Sequence, residues 1–311
     1  MRCLFTAMSI AAVAAACGST ESSSSDAGEV ETVDSSMAAV DMFTGSEQLA
    51  AGQHEMSLEH DGEQRTYTLI VPDGDEHPGA RPLLVNMHGY TSNMMQQQSY
   101  MAPDPVARDA GYVLVFPQGL FNSWNAATCC GNGRSADVDD VGFIRALIAE
   151  VQDRTWVNPR RIYATGMSNG GMMSHRLGCE ASDLIAAIAP VAGASMPGAG
   201  GACMTGRGVP VLHFHGRADD VAPYATVPGP IAEWRRLNGC EGAPEVTYDE
   251  GDTVCETYAD CDDGVEVTLC SSEGAGHCWP GITFCTFGAA ATGISANEAM
   301  VTFFEKYELQ P

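Results

Sequence analysis

The sequence predicts an α/β fold, a mostly parallel central sheet with helices on both faces. Three observations predict it. Short, continuously apolar segments alternate along the chain with segments of helical spacing. Several of the apolar segments carry no polar alternation, as strands buried on both faces require. The chain also carries one strand–turn–helix unit, Arg161 to Gly171 (R-I-Y-A-T-G-M-S-N-G-G), in which a G-x-S-x-G turn separates an apolar strand from a run that can be helical.

Taken in order, Tyr67 to Val71 reads as a strand turned by Pro72-Asp73-Gly74, and Pro82 to Met87 as a buried parallel strand. Val113 to Phe116 is a third. Val141, Ile144, Ile148 and Val151 fall at helical spacing behind the start signals Asp137, Asp139 and Asp140. Ile162 to Ala164 is the strand before the G-x-S-x-G turn, and Met172 to Leu177 the helix after it. Ala187 to Val191 and Val209 to Phe214 are strands, Ile231 to Leu237 a helix, Val265 to Leu269 a strand, and Asn297 to Tyr307 a closing helix.

The 311 residues are 45% hydrophobic, ample for one large core. Fifteen basic residues against 40 acidic ones give a net charge of -25, which argues against nucleic acid or an anionic membrane surface as partner. Residues 1–16 read as a signal peptide. Arg2 is followed by an apolar run, Leu4 to Ala16, too short to span a bilayer, and the run ends in small residues before Cys17. Small residues directly before a cysteine fit a bacterial lipobox with Cys17 lipidated, the only membrane contact expected; a plain secretory signal is the alternative. Residues 17–50, rich in Ser and acidic residues, read as a solvated tether, and residues 51–311 as one catalytic domain.

Cysteine use agrees with export. Of the twelve, Cys3 lies in the leader and Cys17 at the anchor, leaving an even number to pair. Cys179 and Cys203 flank one segment, Cys240 and Cys261 bracket another, Cys255 and Cys270 sit symmetrically about a turn, and Cys278 and Cys285 close a small loop. Adjacent Cys129 and Cys130 form either a vicinal bridge or pairs with other partners.

The chemistry is carried by the Gly166–Gly170 turn. In a strained turn between strand and helix, glycines two before and two after Ser168 let the two elements close up and lift its hydroxyl above the sheet. A serine needs a base, and the base a carboxylate that orients it. Downstream, the strand ending at Phe214 runs into H-G-R-A-D-D, offering Asp219 as the acid with Asp220 as fallback. The strand ending at Leu269 precedes G-A-G-H-C-W-P-G, offering His277 as the base. Ser, acid, His is the order hydrolases with this turn use. The oxyanion donors are the Asn169 amide and, after the strand ending at Met87, the Tyr90 amide. Trp124, Trp279 and Tyr100 lie in loops and are candidate substrate contacts. His213 and His215, two apart on a strand, face the same way, but no third ligand stands at useful spacing, so no metal is expected from them.

Six motifs together carry a family resemblance: H-G-Y (His88 to Tyr90), S-W-N-A-A-T-C-C-G (Ser123 to Gly131), V-D-D-V-G-F-I (Val138 to Ile144), G-M-S-N-G-G, H-G-R-A-D-D-V-A-P-Y and G-H-C-W-P-G. From about Glu55 to Tyr307 the chain resembles the secreted polyhydroxybutyrate depolymerase and feruloyl esterase group of esterase D-like α/β-hydrolases. The resemblance implies the α/β-hydrolase fold, a catalytic Ser168, Asp219 and His277, no metal or organic cofactor, and a carboxylic-ester substrate. That substrate is a short-chain polyester or, alternatively, a feruloyl or acetyl group on plant polysaccharide. A third expectation, of another class, is a non-catalytic surface binding lipoprotein. Cys278, between the base and Trp279, departs from the pattern, and a bridge to Cys285 would tether the His277 loop.

Overall fold

The computed structural model describes residues 48–74, 79–101, 104–126, 129–196 and 203–310. The signal peptide, the tether up to residue 47 and the lipidation expected at Cys17 lie outside them; Leu49, expected in the tether, donates its N–H to the Arg154 carbonyl at 3.0 Å. Ten strands form one sheet: β1 (Gly52–His60), β2 (Glu63–Val71), β3 (Arg81–Met87), β4 (Val113–Pro117), β5 (Val157–Met167), β6 (Ala187–Val191), β7 (Val211–Gly216), β8 (Glu245–Glu250), β9 (Thr253–Tyr258) and β10 (Val267–Ser272). Their spatial order is β1-β2-β4-β3-β5-β6-β7-β10-β9-β8. The six strands from β4 to β10 in that order are parallel, and antiparallel pairs flank them at both edges.

Seven helices accompany the sheet among the described residues: α1 (Met94–Met101), α2 (Val106–Asp109), α3 (Gly131–Ser135), α4 (Asp140–Arg154), α5 (Asn169–Glu180), α6 (Pro228–Leu237) and α7 (Ala296–Phe304). The alternation of side chains along each central strand feeds two cores. Leu83, Val85, Ile162, Ala164, Ile188 and Val211 face α4, α5 and α6, which contribute Phe143, Met173, Leu177 and Trp234. Leu84, Tyr163, Ala187 and Leu212 face α1, α2 and α7, which contribute Met101, Ala107, Met300 and Phe304. Phe304 stacks on Tyr163 with ring centroids 4.5 Å apart, closing the chain onto the strand that carries the G-x-S-x-G turn. Burying one such ring rather than leaving it wet is worth roughly 1.5–3 kcal/mol.

Every central strand and long helix expected from sequence is present. The edge strands β1, β8 and β9 and the helices α1, α2 and α3 are additions. β1 has only Met56 and Leu58 as apolar alternating residues, and β8 (E-V-T-Y-D-E) is mostly exposed, so neither carries a strong periodic signal. Five disulfides join Cys129–Cys130, Cys179–Cys203, Cys240–Cys261, Cys255–Cys270 and Cys278–Cys285. Cys255 and Cys270 face one another in the β9–β10 register, the cross-strand geometry their symmetry about the turn implied. No helix among the described residues is long and apolar enough to cross a membrane.

The parallel register decides where the loops meet. Met87 pairs with Gly166, Met167 with Val191, Val191 with Phe214, and Gly216 with Ser272. The loops that follow β3, β5, β6, β7 and β10 therefore emerge at one edge, at the strands' carboxyl ends.

Candidate active site

Ser168 sits between β5 and α5 with φ 55° and ψ −115°, a positive φ that costs a non-glycine residue of order 1–3 kcal/mol and is held only by its surroundings. Those surroundings are tight. A Cβ on Gly166 would lie 2.5 Å from the Met87 carbonyl oxygen, and one on Gly170 would collide with the same oxygen. The Ser168 N–H donates to the Val191 carbonyl at 2.8 Å, and its own carbonyl accepts from the Met172 N–H at 2.9 Å. Both glycines of the motif are thus required by the packing of β5, α5 and the end of β3.

Asp219 and His277, 58 residues apart, meet at 2.7 Å, Oδ2 to Nδ1. Asp219 is buried, and its Oδ1 accepts from the Val221 and Ala222 amides at 2.9 and 2.7 Å. Burial raises its pKa, but the His277 hydrogen bond and the Ala222 amide outweigh burial and hold the carboxyl below the usual aspartate value. Asp220, the fallback acid, points to solvent. With Nδ1–H donated to Asp219, His277 presents a bare Nε2, the tautomer a general base needs.

Ser168 and His277 line one cleft of about 630 Å³, together with Gly89, Tyr90, Tyr100, Trp279 and the Cys129–Cys130 pair. Among the described residues, neither the Tyr90 amide nor the Asn169 amide donates a hydrogen bond. The Asn169 amide opens α5, where first-turn N–H groups have no helical partner and the helix dipole favours negative charge. These two amides are the donors that the sequence assigned to an oxyanion.

The loop after β3 is built by His88, which sequence reading passed over. Its Nδ1 lies 2.7 Å from the Gly89 carbonyl, and its Nε2 accepts from the Gly119 amide at 2.9 Å. Burial pushes its pKa down to about 4, so it stays neutral and acts as a fixed strut. Trp124 departs from expectation. It is fully buried, stacks on Phe143, and donates its indole N–H to the His88 carbonyl at 2.9 Å. It is a core side chain under the cleft rather than a substrate contact, because the segment after β4 folds inward. Tyr100 and Trp279 do line the cleft, their rings stacked at 6.0 Å. Trp279 is nonetheless fully covered, its indole bonded to Asn297 Oδ1 at 3.0 Å, so it backs the wall while Tyr100 faces the space.

Two further features escaped the sequence. Phe284 and Phe287, 78% and 60% exposed, stand on the cleft lining with Val221 and Tyr90 and make its mouth apolar. They lie on the loop that the Cys278–Cys285 bridge ties back to His277. His213 and His215 do face the same way, but toward each other and a third histidine, His175. Among the described residues, the one cluster with metal-ligand spacing is His60, Asp61 and Asp139, and Asp139 serves there as the N-cap of α4, accepting from the Gly142 amide.

No family model matches the chain. It is 36% identical over 234 residues to feruloyl esterase B of Piromyces equi, a match covering 68% of this chain and 42% of that protein. The chain thus spans less than half the length of that relative. It is 27% identical over 221 residues to feruloyl esterase D of Neurospora crassa, covering 66% of this chain and 71% of that one. Among solved structures, the acetyl xylan esterase from Aspergillus awamori superposes with a TM-score of 0.57 at 12% identity, over 82% of this chain and 99% of that one, a likeness of fold.

Proposed function

We propose that this chain, an α/β-hydrolase whose homologues are feruloyl esterases and related esterases, is a serine carboxylic-ester hydrolase working through an acyl-enzyme on Ser168. The observation that carries the reading is the convergence of Ser168 and the Asp219–His277 pair on one cleft. In the first step His277 Nε2 takes the Ser168 hydroxyl proton while Oγ attacks the ester carbonyl, and the Tyr90 and Asn169 amides receive the charge that develops on oxygen. His277 returns the proton to the leaving alcohol. In the second step water, deprotonated by the same imidazole, releases the acid. Asp219 keeps the imidazole in the needed tautomer and stabilises the imidazolium without itself taking the proton.

For substrate class, the homologues' names favour an acyl group esterified to plant polysaccharide, and the aromatic mouth formed by Tyr90, Phe284 and Phe287 suits a feruloyl ring. The second reading is a short-chain polyester of the polyhydroxybutyrate type. The same exposed apolar rim favours it, since it can lie against an apolar polymer. Action outside the cytoplasm follows from five disulfides, which persist in oxidising compartments. A lipid anchor at Cys17 belongs to the same proposal, tested by labelling with a fatty-acid probe before and after Cys17→Ser.

Turnover of methyl ferulate, amorphous polyhydroxybutyrate and p-nitrophenyl butyrate, each run against Ser168→Ala, tests the reading. Release of ferulate with no 3-hydroxybutyrate oligomers supports the first substrate class, and the reverse supports the second. Equal activity of the wild-type and Ser168→Ala proteins on all three, or no label from a fluorophosphonate on folded wild-type protein, overturns the hydrolase itself.

A further inference from the structure

Four buried nitrogen-bearing rings run from the back of the sheet to the acid. The Trp234 indole N–H in α6 donates to His175 Nδ1 in α5 at 2.8 Å. His175 Nε2 lies 3.3 Å from His213 Nδ1, and His213 Nε2 lies 3.2 Å from His215 Nδ1, both on β7. His215 Nε2 reaches the Ala222 carbonyl at 2.7 Å and Asp219 Oδ2 at 3.4 Å. The Gly193 carbonyl also lies within reach of His175. All four rings are buried, and burial pushes the pKa of each histidine below its ordinary value, which favours the neutral ring.

The two ends of this chain can each take only one role. An indole N–H can only donate, so His175 Nδ1 accepts and its proton sits on Nε2. A carbonyl can only accept, so His215 carries its proton on Nε2 and accepts at Nδ1. His213, between them, must then accept at Nδ1 and donate at Nε2. Reading from either end gives the same direction for every bond, and each ring makes both of its hydrogen bonds.

We propose that His215 is a positioning residue for Asp219, with its donor aimed at the peptide that cradles the acid by this one-way chain from Trp234. The inference rests on the reading of Asp219 as the acid of the site. His215 donates to the carbonyl of Ala222, whose amide in turn donates to Asp219 Oδ1, and it lies alongside the Oδ2 that holds His277. It therefore holds the peptide that cradles the carboxylate. Since His175 sits on the helix that Ser168 opens, the same chain ties the nucleophile's helix to the acid's loop.

The test uses the whole folded protein labelled with ¹³C and ¹⁵N histidine. Long-range ¹H–¹⁵N spectra should show His175, His213 and His215 as single Nε2–H tautomers from pH 7 to 8, and His213 and His215 should keep that tautomer in Trp234→Phe, because the Ala222 carbonyl fixes it from the other end. On p-nitrophenyl butyrate, His215→Leu should lower kcat by about 10- to 100-fold, the scale set by misplacing a catalytic group by up to about 1 Å, with KM within about twofold. His215→Gln, which returns an N–H near the Nε2 position, should recover most of that loss. Should His215→Leu fail to fold, His215→Asn, whose shorter amide falls short of the Ala222 carbonyl, carries the kinetic test, with the loss in kcat alone. An Nδ1–H tautomer at any of the three histidines, or full kcat in the folded variant tested, overturns the positioning role. Full activity in Asp219→Asn would overturn the underlying reading of the site instead.

Discussion

The Asn169 side chain and the Trp124 backbone hold each other by two hydrogen bonds: the Trp124 N–H donates to Asn169 Oδ1 at 2.6 Å, and Asn169 Nδ2 donates to the Trp124 carbonyl at 3.2 Å. Nδ2 also reaches the Cys129 carbonyl at 2.9 Å. The residue after Ser168 thus pins the loop that brings Cys129 and Cys130 to the cleft, in addition to offering its amide. Asn169→Ala leaves the buried Trp124 N–H unpaired, so we expect a stability loss of about 1–3 kcal/mol in urea unfolding together with reduced kcat. Asn169→Asp keeps the acceptor and loses both donors, and should show the smaller stability loss near neutral pH only if the Trp124 N–H contact dominates.

Asp219→Asn preserves volume and one acceptor but reverses the tautomer preference of His277. We expect kcat on p-nitrophenyl butyrate to fall by up to about 10⁴ with Tm nearly unchanged. A loss below tenfold would remove Asp219 from the acid's role.

Arg65 and Asp140 form an ion pair at 2.7 Å with both side chains almost wholly buried, and Asp140 Oδ2 also accepts from the Asn125 amide at 2.7 Å. The Arg65 guanidinium lies 3.8 Å over the Phe143 ring. Arg65→Met leaves a buried charge uncompensated, and the expected cost is about 3–5 kcal/mol, read from the urea midpoint. The double variant Arg65→Met/Asp140→Leu should be less destabilised than the sum of its single variants, because the orphaned carboxylate is gone.

His88 and His175 are held neutral by burial, with pKa values near 4 and near 3, and His213 is also pushed well below 6.5. The unfolded chain protonates these histidines near pH 6.5 while the folded chain does not. Stability is therefore complete above pH 6.5 and falls as the pH drops below it, by about 1.4 kcal/mol per pH unit for each histidine. Urea midpoints should hold from pH 7.5 to about 6.5 and then fall steadily to pH 4.5 at constant m-value. A flat profile would contradict the burial of these rings.

The linear order of the chain determined the parallel sheet and the edge on which Ser168, Asp219 and His277 gather. Continuous apolar runs in β3, β4 and β6 leave no polar face for solvent, and glycines flanking Ser168 make sense only where a strand and a helix nearly touch. Placing Asp219 and His277 each just past a strand end was enough to forecast their meeting, since parallel strands put all their carboxyl ends on one edge. What tertiary structure alone decided is where a side chain's second partner comes from. Trp124 sits in a loop and still goes into the core, because Phe143 and the His88 carbonyl wait beneath it from elsewhere in the chain. His175 has no periodic mark in α5, and its partners Trp234 and His213 lie 59 and 38 residues away. Edge strands such as β8 hide for the related reason that their pairing is supplied by a neighbour rather than by their own pattern. Hydrogen bonds and ring contacts between distant segments form only after the sheet has set the register, so no local spacing encodes them.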